Sequence, residues 1–262
     1  MNKYSKNYTI ILDDMDLFQY RLSPIAAIKY IQDAFARYTA TKKMAAYDLF
    51  ATEQYWIVTE FNIDFIDLLP FWSEEIKVEI WVSEISKLKV YTDFNLYYND
   101  KIFAKGNALW FIIDRNTKRP VKTDIVSERF EVCNELAIGP HTKFIIPEIK
   151  EKYTEIKHTI NLSDMDFNKH VNNKSYINIA ETAVPEEFKK DNIIKLLKVK
   201  FNRETFLNDT LICSAYKTNA ENLYVHKIEK DNVSVCDVIT LWQPKTATET
   251  IVDYNMKIKQ SL

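Results

Sequence analysis

A short segment of this chain occurs twice, and this repeat limits the possible folds more than any other feature. Residues 8–16 read YTIILDDMD and residues 158–166 read HTINLSDMD, so six of nine positions are identical. The copies lie 150 residues apart, too far for a solenoid repeat but suitable for two tandem domains. The length of 262 residues allows two units of ordinary domain size, each able to bury its own core.

The boundary between the two halves is predicted from turn-forming residues. Glycine and proline cluster between residues 139 and 147, and charged residues follow. Such a cluster between two patterned regions marks a connection rather than a core element. We therefore predict an N-terminal domain over residues 1–147 and a C-terminal domain over residues 148–262.

Each half is predicted to contain a strand, one helix and then several long strands. Ser23-Pro24 suits a helix start, because serine caps a helix and proline fits its first turn. The second-half helix is capped by Asn172 or Asn173 and stopped by Pro185. Runs rich in β-branched and aromatic residues predict strands, at 8–12, 56–65, 76–83, 88–98 and 102–113, and then at 156–162, 194–203, 208–217, 222–230 and 233–243. One helix with a run of antiparallel strands predicts an α+β class, a sheet wrapped around a helix.

Composition excludes several functions. The net charge of −2 gives no reason to expect a nucleic-acid partner. Only two glycines occur, so no phosphate-binding loop, dinucleotide fingerprint or nucleophile elbow can be present. The three cysteines are scattered and the four histidines lack metal-ligand spacing, so we expect no metal or cofactor and a reducing, cytoplasmic setting. The apolar runs are too short for a signal peptide or a membrane span.

The second copy of the repeat continues into a polar segment. Asp166, Asn168 and His170 occur at alternate positions, and alternate side chains of an extended chain share a face. The first copy has Phe18 and Tyr20 where the second has Asn168 and His170, so the fold does not require polar groups there. We therefore expect these two residues to serve function.

A helix N-terminus directly after this segment adds to its chemistry. Free backbone N–H groups and the helix dipole can polarise a carbonyl oxygen, as in an oxyanion hole. Asn172 and Asn173 have a simpler interpretation as helix caps, which competes with a role in substrate binding.

Residues 164–176, DMDFNKHVNNKSY, closely resemble the active-site segment of acyl-acyl-carrier-protein (acyl-ACP) thioesterases. The shorter pattern from His170 to Tyr176 is similar to that of hotdog-fold acyl-CoA thioesterases generally. The tandem layout is similar to the double hotdog of the acyl-ACP enzymes over nearly the whole chain. The resemblance implies a tandem double hotdog, in which each half is a long antiparallel sheet wrapped around a central helix.

The resemblance also implies site residues. The family's aspartate, asparagine and histidine fall on Asp166, Asn168 and His170, and its later acidic residue falls on Glu204. The cysteine once proposed as nucleophile in plant members is Thr205 here. A covalent Cys–His route is therefore not available at this position, and attack by water or by a carboxylate is expected.

Glu204 has a weaker case than His170. Phe61-Asn62 recurs as Phe201-Asn202, and this offset of 140 places another acid, Asp64, opposite Glu204. The divergence of the two copies therefore does not single out Glu204, which could be a solvated strand residue paired with a nearby cation.

The resemblance implies hydrolysis of fatty acyl-ACP thioesters, which ends chain elongation. Backbone N–H groups after Asn173 would hold the oxyanion, Glu204 or Asp166 would act as base, His170 would orient water or protonate the thiolate, and Asn168 would fix the geometry. The 1–147 domain would then supply acyl-binding surface with a degenerate site, and the 148–262 domain would be catalytic.

Three alternatives stay open: an acyl-CoA thioesterase, a hotdog dehydratase and a non-catalytic acyl-binding protein. The resemblance implies acyl carrier protein as partner and, because such carriers are acidic, a basic docking patch. Candidate lysines, which could equally be ordinary solvated side chains, are Lys189, Lys190, Lys195, Lys198 and Lys200. A tandem copy can satisfy hotdog pairing within one chain, so monomer and homodimer are both expected states.

Overall fold

The computed structural model describes residues 2–166 and 169–245. The Cα positions group into two compact units. The first draws on Met1–Thr9, Ala27–Asp67 and Glu75–Lys143, and the second on Ile10–Ala26, Leu68–Glu74 and Phe144–Leu262. Two short stretches from the first half of the sequence, 10–26 and 68–74, thus belong to the second unit. The roles assigned to domains 1–147 and 148–262 stay predictions.

The first unit contains antiparallel strands in the order β1-β3-β4-β5-β2. These strands are β1 (Lys3–Thr9), β2 (Gln54–Phe65), β3 (Glu75–Ile85), β4 (Val90–Tyr98) and β5 (Lys101–Asp114). Helix α1 (Pro24–Thr41) packs on them through Phe35, whose ring stacks on Trp110 with centroids 3.6 Å apart and meets Trp56 edge-on at 5.3 Å. Large rings such as these carry much of a core's apolar burial.

One glycine in the first unit is required by close packing. Gly106 of β5 lies between its partners on β2 and β4. A Cβ atom at this position would lie 2.0 Å from Asn62 O and 2.6 Å from the Phe94 ring. Because the nearer contact is a backbone atom, only glycine fits here.

The second unit repeats the same topology. Its antiparallel strands follow the order β6-β8-β9-β10-β7, so each occupies the place of its counterpart in the first unit. These strands are β6 (Ile149–Thr159), β7 (Asn192–Phe201), β8 (Thr210–Thr218), β9 (Leu223–Lys230) and β10 (Val233–Pro244). Helix α4 (Asn173–Thr182) packs against β8, β9 and β10 and buries Tyr176, Ile177 and Ala180.

The shared topology confirms the predicted duplication and the α+β class. The first helix begins at Pro24 as predicted, and the Ser23 hydroxyl accepts the N–H of Ile25 at 3.2 Å. Three short helices were not predicted: α2 (Ala46–Phe50), α3 (Asp124–Arg129) and α5 (Glu186–Asp191). Within the described ranges, no helix is both long and apolar enough to cross a membrane.

The repeated segment itself differs from the prediction. A strand over 8–12 was expected, but the strand ends at Thr9 and Leu12–Asp14 form a short 3-10 turn. The Ile10 N–H donates to Glu74 O at 3.0 Å, next to the last β1–β3 pair of Thr9 with Glu75, and the chain then enters the turn. The second copy likewise forms a 3-10 turn at Leu162–Asp164. We call the chain between each turn and its helix the first-copy loop (14–23) and the second-copy loop (164–172).

Candidate active site

Asp166 makes two hydrogen bonds with the backbone of His170. Its backbone N–H donates to His170 O at 2.8 Å, and its carboxylate Oδ1 accepts the His170 N–H at 3.2 Å. Lys169 adopts a left-handed φ of 64° between them, which lets the loop turn back on itself. One Asp166 carboxylate oxygen therefore accepts a hydrogen bond from the loop backbone and helps to fix the position of His170.

Asn172 and Asn173 begin helix α4. Asn172 is the N-cap residue, and its Oδ1 accepts the Lys174 N–H at 2.9 Å. Asn173 is the first helical residue, and its backbone N–H donates to no acceptor in the part of the chain that is described. A donor of this kind at a helix N-terminus suits an anionic oxygen. The side chain of Asn172 therefore caps the helix, and the backbone of Asn173 is the candidate oxyanion donor.

The structure brings His170 and Glu204 together. The distance from His170 Nδ1 to Glu204 Oε1 is 3.7 Å, and the two side chains are 33% and 42% exposed. This separation is slightly longer than a hydrogen bond, as is common in catalytic pairs without substrate. The Phe206 ring and the imidazole pack in a T-shaped contact, with centroids 6.0 Å apart. A titratable pair of this kind is open to both water and a ligand.

A buried hydrogen bond, which sequence reasoning missed, supports this pair. The Tyr176 hydroxyl on α4 lies 2.7 Å from Thr205 Oγ1, next to Glu204, and both side chains are buried. Burial raises the pKa of Tyr176 to about 12, so the phenol stays protonated. The bond ties the segment carrying Glu204 to the helix that follows His170. The tyrosine that ends the motif was the available sequence signal.

Of the predicted site residues, Asp166, His170, Glu204, Asn172 and Asn173 are described and lie on the second-copy loop, the start of α4 and the turn after β7. Asn168 lies outside the described residues, as does the predicted match between Asn168 and Phe18.

The two loops can be aligned by their hydrogen bonds. In each, the N-cap residue of the following helix donates its N–H to the aspartate that opens the loop. Ser23 donates to Asp14 O at 2.7 Å, and Asn172 donates to Asp164 O at 2.8 Å. The two loops therefore share this closing hydrogen bond, which allows the described residues on either side of it to be compared.

A second matched bond identifies the first-copy counterpart of His170. The Asp16 N–H donates to Arg21 O at 2.7 Å, as that of Asp166 does to His170 O. Arg21 therefore occupies the position of His170. The predicted counterpart, Tyr20, is wrong by one residue because the first-copy loop is one residue longer between these bonded positions.

A third match aligns the turns that follow β2 and β7. The Val171 N–H donates to Thr205 O at 3.4 Å, and the Leu22 N–H donates to Pro70 O at 2.8 Å. Leu22 and Val171 each precede the helix cap, so Pro70 corresponds to Thr205.

The counterpart of Glu204 is consequently Leu69, which is buried, and the predicted counterpart Asp64 is wrong. The offset of 140 failed because Phe61 lies four residues before the end of β2, whereas Phe201 is the last residue of β7, so the two Phe-Asn pairs are not equivalent. In the first copy the guanidinium of Arg21 donates to Leu69 O at 2.8 Å and lies 4.0 Å above the Phe71 ring. Both members of the histidine–carboxylate pair therefore occur in the second copy only.

The two buried cysteines do not compete with this pair. Cys213 and Cys236 are buried, and burial raises the pKa of the Cys213 thiol to about 12 and that of Cys236 well above its ordinary value. Thiols held protonated in this way are poor nucleophiles. Across residues 2–166 and 169–245, no cluster of three or more His, Cys, Asp or Glu side chains suits a metal ion.

Similarity to solved structures defines the class. The chain matches an acyl-ACP thioesterase from Bacteroides thetaiotaomicron with a TM-score of 0.81 at 20% identity, over 92% of this chain and 98% of that one. It matches the 12:0-ACP thioesterase from Umbellularia californica with a TM-score of 0.81 at 16% identity, over 94% and 98%. These likenesses show the fold, and the protein is a tandem double hotdog, as predicted.

Sequence comparison defines the family. The acyl-ACP thioesterase N-terminal domain matches residues 1–129, and the acyl-ACP thioesterase C-terminal domain matches residues 148–244. The chain belongs to the acyl-ACP thioesterase family. A chloroplastic acyl-[acyl-carrier-protein] hydrolase of Cuphea viscosissima is 26% identical over 90% of this chain and 58% of its own length. A chloroplastic oleoyl-acyl carrier protein thioesterase of Coriandrum sativum is 21% identical over 60% and 45%. The chain spans about half the length of these curated relatives.

Proposed function

We propose that this protein hydrolyses fatty acyl-ACP thioesters to free fatty acid and acyl carrier protein. The observation that carries the proposal is the His170–Glu204 pair, 3.7 Å apart and partly exposed beside the N-terminus of α4. Membership of the acyl-ACP thioesterase family supports the substrate class.

In the proposed reaction, Glu204 accepts a proton from water while the water oxygen attacks the thioester carbonyl. Glu204 suits this role better than Asp166, because one Asp166 oxygen already accepts the His170 N–H. The backbone N–H of Asn173 and the α4 dipole stabilise the oxyanion that forms. When the C–S bond breaks, His170 gives a proton to the leaving thiolate, and the fatty acid is released.

The remaining roles follow the family resemblance. Asn168 helps to fix the geometry of the pair, and the 1–147 domain provides acyl-binding surface. We further propose that the protein acts in the cytoplasm, because its three cysteines show no close spacing. Monomer and homodimer remain the two predicted states.

A substrate panel tests the proposal. The protein is incubated with acyl-ACP, acyl-CoA and 3-hydroxyacyl thioesters, and free thiol and dehydration products are measured. We expect free thiol from acyl-ACP, at a rate that falls by orders of magnitude in His170→Ala and Asn168→Ala. Circular dichroism of each variant checks that the fold is intact. Thiol release mainly from acyl-CoA, a dehydrated product, or binding without any product would each contradict the proposal in favour of a different function.

A further inference from the structure

The Phe206 ring is a second neighbour of the His170 imidazole in the candidate site. The two ring centroids lie 6.0 Å apart at an interplanar angle of 75°, which is within the usual range of T-shaped aromatic pairs. Among the described residues the imidazole makes no hydrogen bond, and its one ion pair is the 3.7 Å approach to Glu204. Because this distance is too long for a hydrogen bond, Glu204 alone does not fix the orientation of the imidazole.

Phe206 begins a short turn between β7 and β8, residues 206–209, whose backbone is anchored. The Phe206 N–H donates to Asp209 Oδ2 at 2.9 Å, and the Asp209 N–H donates back to Phe206 O at 3.1 Å. The other carboxylate oxygen of Asp209 accepts a hydrogen bond from Lys230 Nζ of β9 at 2.6 Å. The aromatic ring is therefore carried by a backbone that is tied to the sheet.

The first copy carries a phenylalanine in the same kind of turn, residues 71–74. The Phe71 N–H donates to the Glu74 carboxylate at 2.6 Å, as the Phe206 N–H donates to that of Asp209. Each phenylalanine also directly follows a residue that is already matched through its backbone hydrogen bond. Phe71 is therefore the first-copy counterpart of Phe206.

A further pair of hydrogen bonds supports this alignment. The Ser73 N–H donates to Ile10 O at 3.0 Å, and the Asn208 N–H donates to Ile160 O at 3.0 Å. Ser73 and Asn208 also share a left-handed backbone, with φ values of 62° and 69°. The two turns thus have the same register, and their phenylalanines are equivalent.

In both copies this ring contacts the side chain at the His170 position of the loop. The Arg21 guanidinium lies 4.0 Å from the centroid of the Phe71 ring, and the His170 imidazole packs on Phe206. The contact is thus present in both copies although the loop residue is arginine in one and histidine in the other. This indicates that the ring restrains whichever side chain leaves the loop at this point.

The two pairs differ in their exposure. Phe71 is 7% exposed and Arg21 is 5% exposed, so the first pair belongs to the core. Phe206 is 49% exposed, and the His170 side chain is 33% exposed. The second pair is therefore open to solvent, and replacing the Phe206 ring should change the stability of the fold little.

We propose that Phe206 is a positioning residue that holds the His170 imidazole in the orientation needed for proton transfer beside Glu204. This inference rests on the proposed function. A partly exposed imidazole can otherwise change rotamer about its two side-chain bonds. The anchored ring occupies one side of the imidazole and so restricts this motion. A small displacement of a catalytic group lowers the rate of the chemical step strongly.

The test removes the ring and then restores it. Phe206→Leu keeps an apolar side chain without the ring, Phe206→Tyr keeps the ring, and Leu207→Ala is the matched control, since Leu207 is an exposed apolar residue of the same turn. We would measure kcat and KM separately on acyl-ACP, and repeat Phe206→Leu in a His170→Ala background by single-turnover kinetics with enzyme in excess. An NMR spectrum of histidine-labelled protein, assigned with His170→Ala, reports on the imidazole without any activity.

We expect Phe206→Leu to lower kcat about ten-fold or more with little change in KM, because the ring aids the chemical step rather than substrate binding. Phe206→Tyr and Leu207→Ala should stay close to the wild type. In the His170→Ala background, Phe206→Leu should have almost no further effect, because Phe206 acts through His170. The His170 ring resonances should shift in Phe206→Leu and stay near their wild-type positions in Phe206→Tyr.

An equal loss in kcat with and without the His170 imidazole would overturn the positioning role. So would a change in KM alone, which would assign Phe206 to substrate binding, or a loss in Phe206→Tyr as large as that in Phe206→Leu. If the wild type cleaves no thioester, the proposed function fails, and the NMR measurement still decides whether Phe206 holds the imidazole. Unchanged His170 resonances in Phe206→Leu would then overturn this contact as well.

Discussion

The hydrogen bond between Tyr176 and Thr205 can be tested by removing each hydroxyl in turn. Tyr176→Phe leaves the Thr205 hydroxyl buried without its partner, since Thr205 is 0% exposed and Tyr176 only 3%. Thr205→Val removes the side-chain partner of the tyrosine hydroxyl. A buried polar group without a partner costs about 1–3 kcal/mol, so each single variant should lose that much stability.

The double variant gives the decisive magnitude. Because it removes both polar groups and keeps nearly the same shape, it should cost less than the sum of the two single losses, by about 1 kcal/mol or more. The assay is urea unfolding of the four proteins, followed by circular dichroism. Tyr216→Phe is the matched control, because the Tyr216 hydroxyl makes no hydrogen bond with described residues, and its effect should stay within about 0.5 kcal/mol. A loss in the double variant equal to the sum of the two single losses would refute the reasoning.

Three further predictions concern stability. Gly106→Ala should lower the free energy of unfolding in urea by about 3 kcal/mol or more, because the new Cβ atom meets backbone. Gly139→Ala has open space but a φ of 88°, and should lower it by about 1 kcal/mol. Equal losses in the two variants would contradict this. Burial lowers the pKa of His226 to about 3 from an ordinary value of 6.5, so below pH 6.5 only the unfolded chain gains its proton. The free energy of unfolding should therefore fall by ~1.4 kcal/mol per pH unit between pH 6 and pH 4 because of His226 alone. The His226→Leu variant should lack this part of the pH dependence. Burial alone would lower the pKa of His141, but hydrogen bonds to two carboxylates outweigh it and raise the pKa. The stability that protonated His141 contributes should be present below pH 6.5 and disappear as pH rises through its folded-state pKa. The free energy of unfolding lost in His141→Gln should therefore be larger at pH 6 than at pH 9, and the opposite order would contradict this.

Local patterns predicted most of the fold. The face formed by Ile25, Ile28 and Ile31 is buried as the three- and four-residue spacing indicated. The strands β2 to β5 and β7 to β10 appear within two residues of their predicted ranges, whereas β6 begins seven residues before the predicted 156–162. Short helices such as α2 were missed because five residues are too few to show a helical period. The strand at 8–12 was misplaced because Leu12–Asp14 form a 3-10 turn, which an apolar run of three residues does not reveal.

Site residues were easier to select than to align. His170 and Glu204 were both selected from sequence, but their first-copy counterparts, Arg21 and Leu69, were not. A fixed offset cannot accommodate the extra residue in the first-copy loop, whereas backbone hydrogen bonds locate it directly. The correction strengthens the case for Glu204, since the first copy carries a buried leucine at the equivalent position.

The central claim is that His170 and Glu204 act as one catalytic unit in acyl-ACP hydrolysis. The most direct measurement is kcat/KM on acyl-ACP for the wild type, His170→Ala, Glu204→Gln and the double variant, with folding checked by circular dichroism. Residues that act as a unit give strongly non-additive losses, so each single variant should lose about 10²-fold or more and the double variant little beyond that. Near wild-type activity in either single variant, or a double loss equal to the product of the two single losses, would contradict the claim.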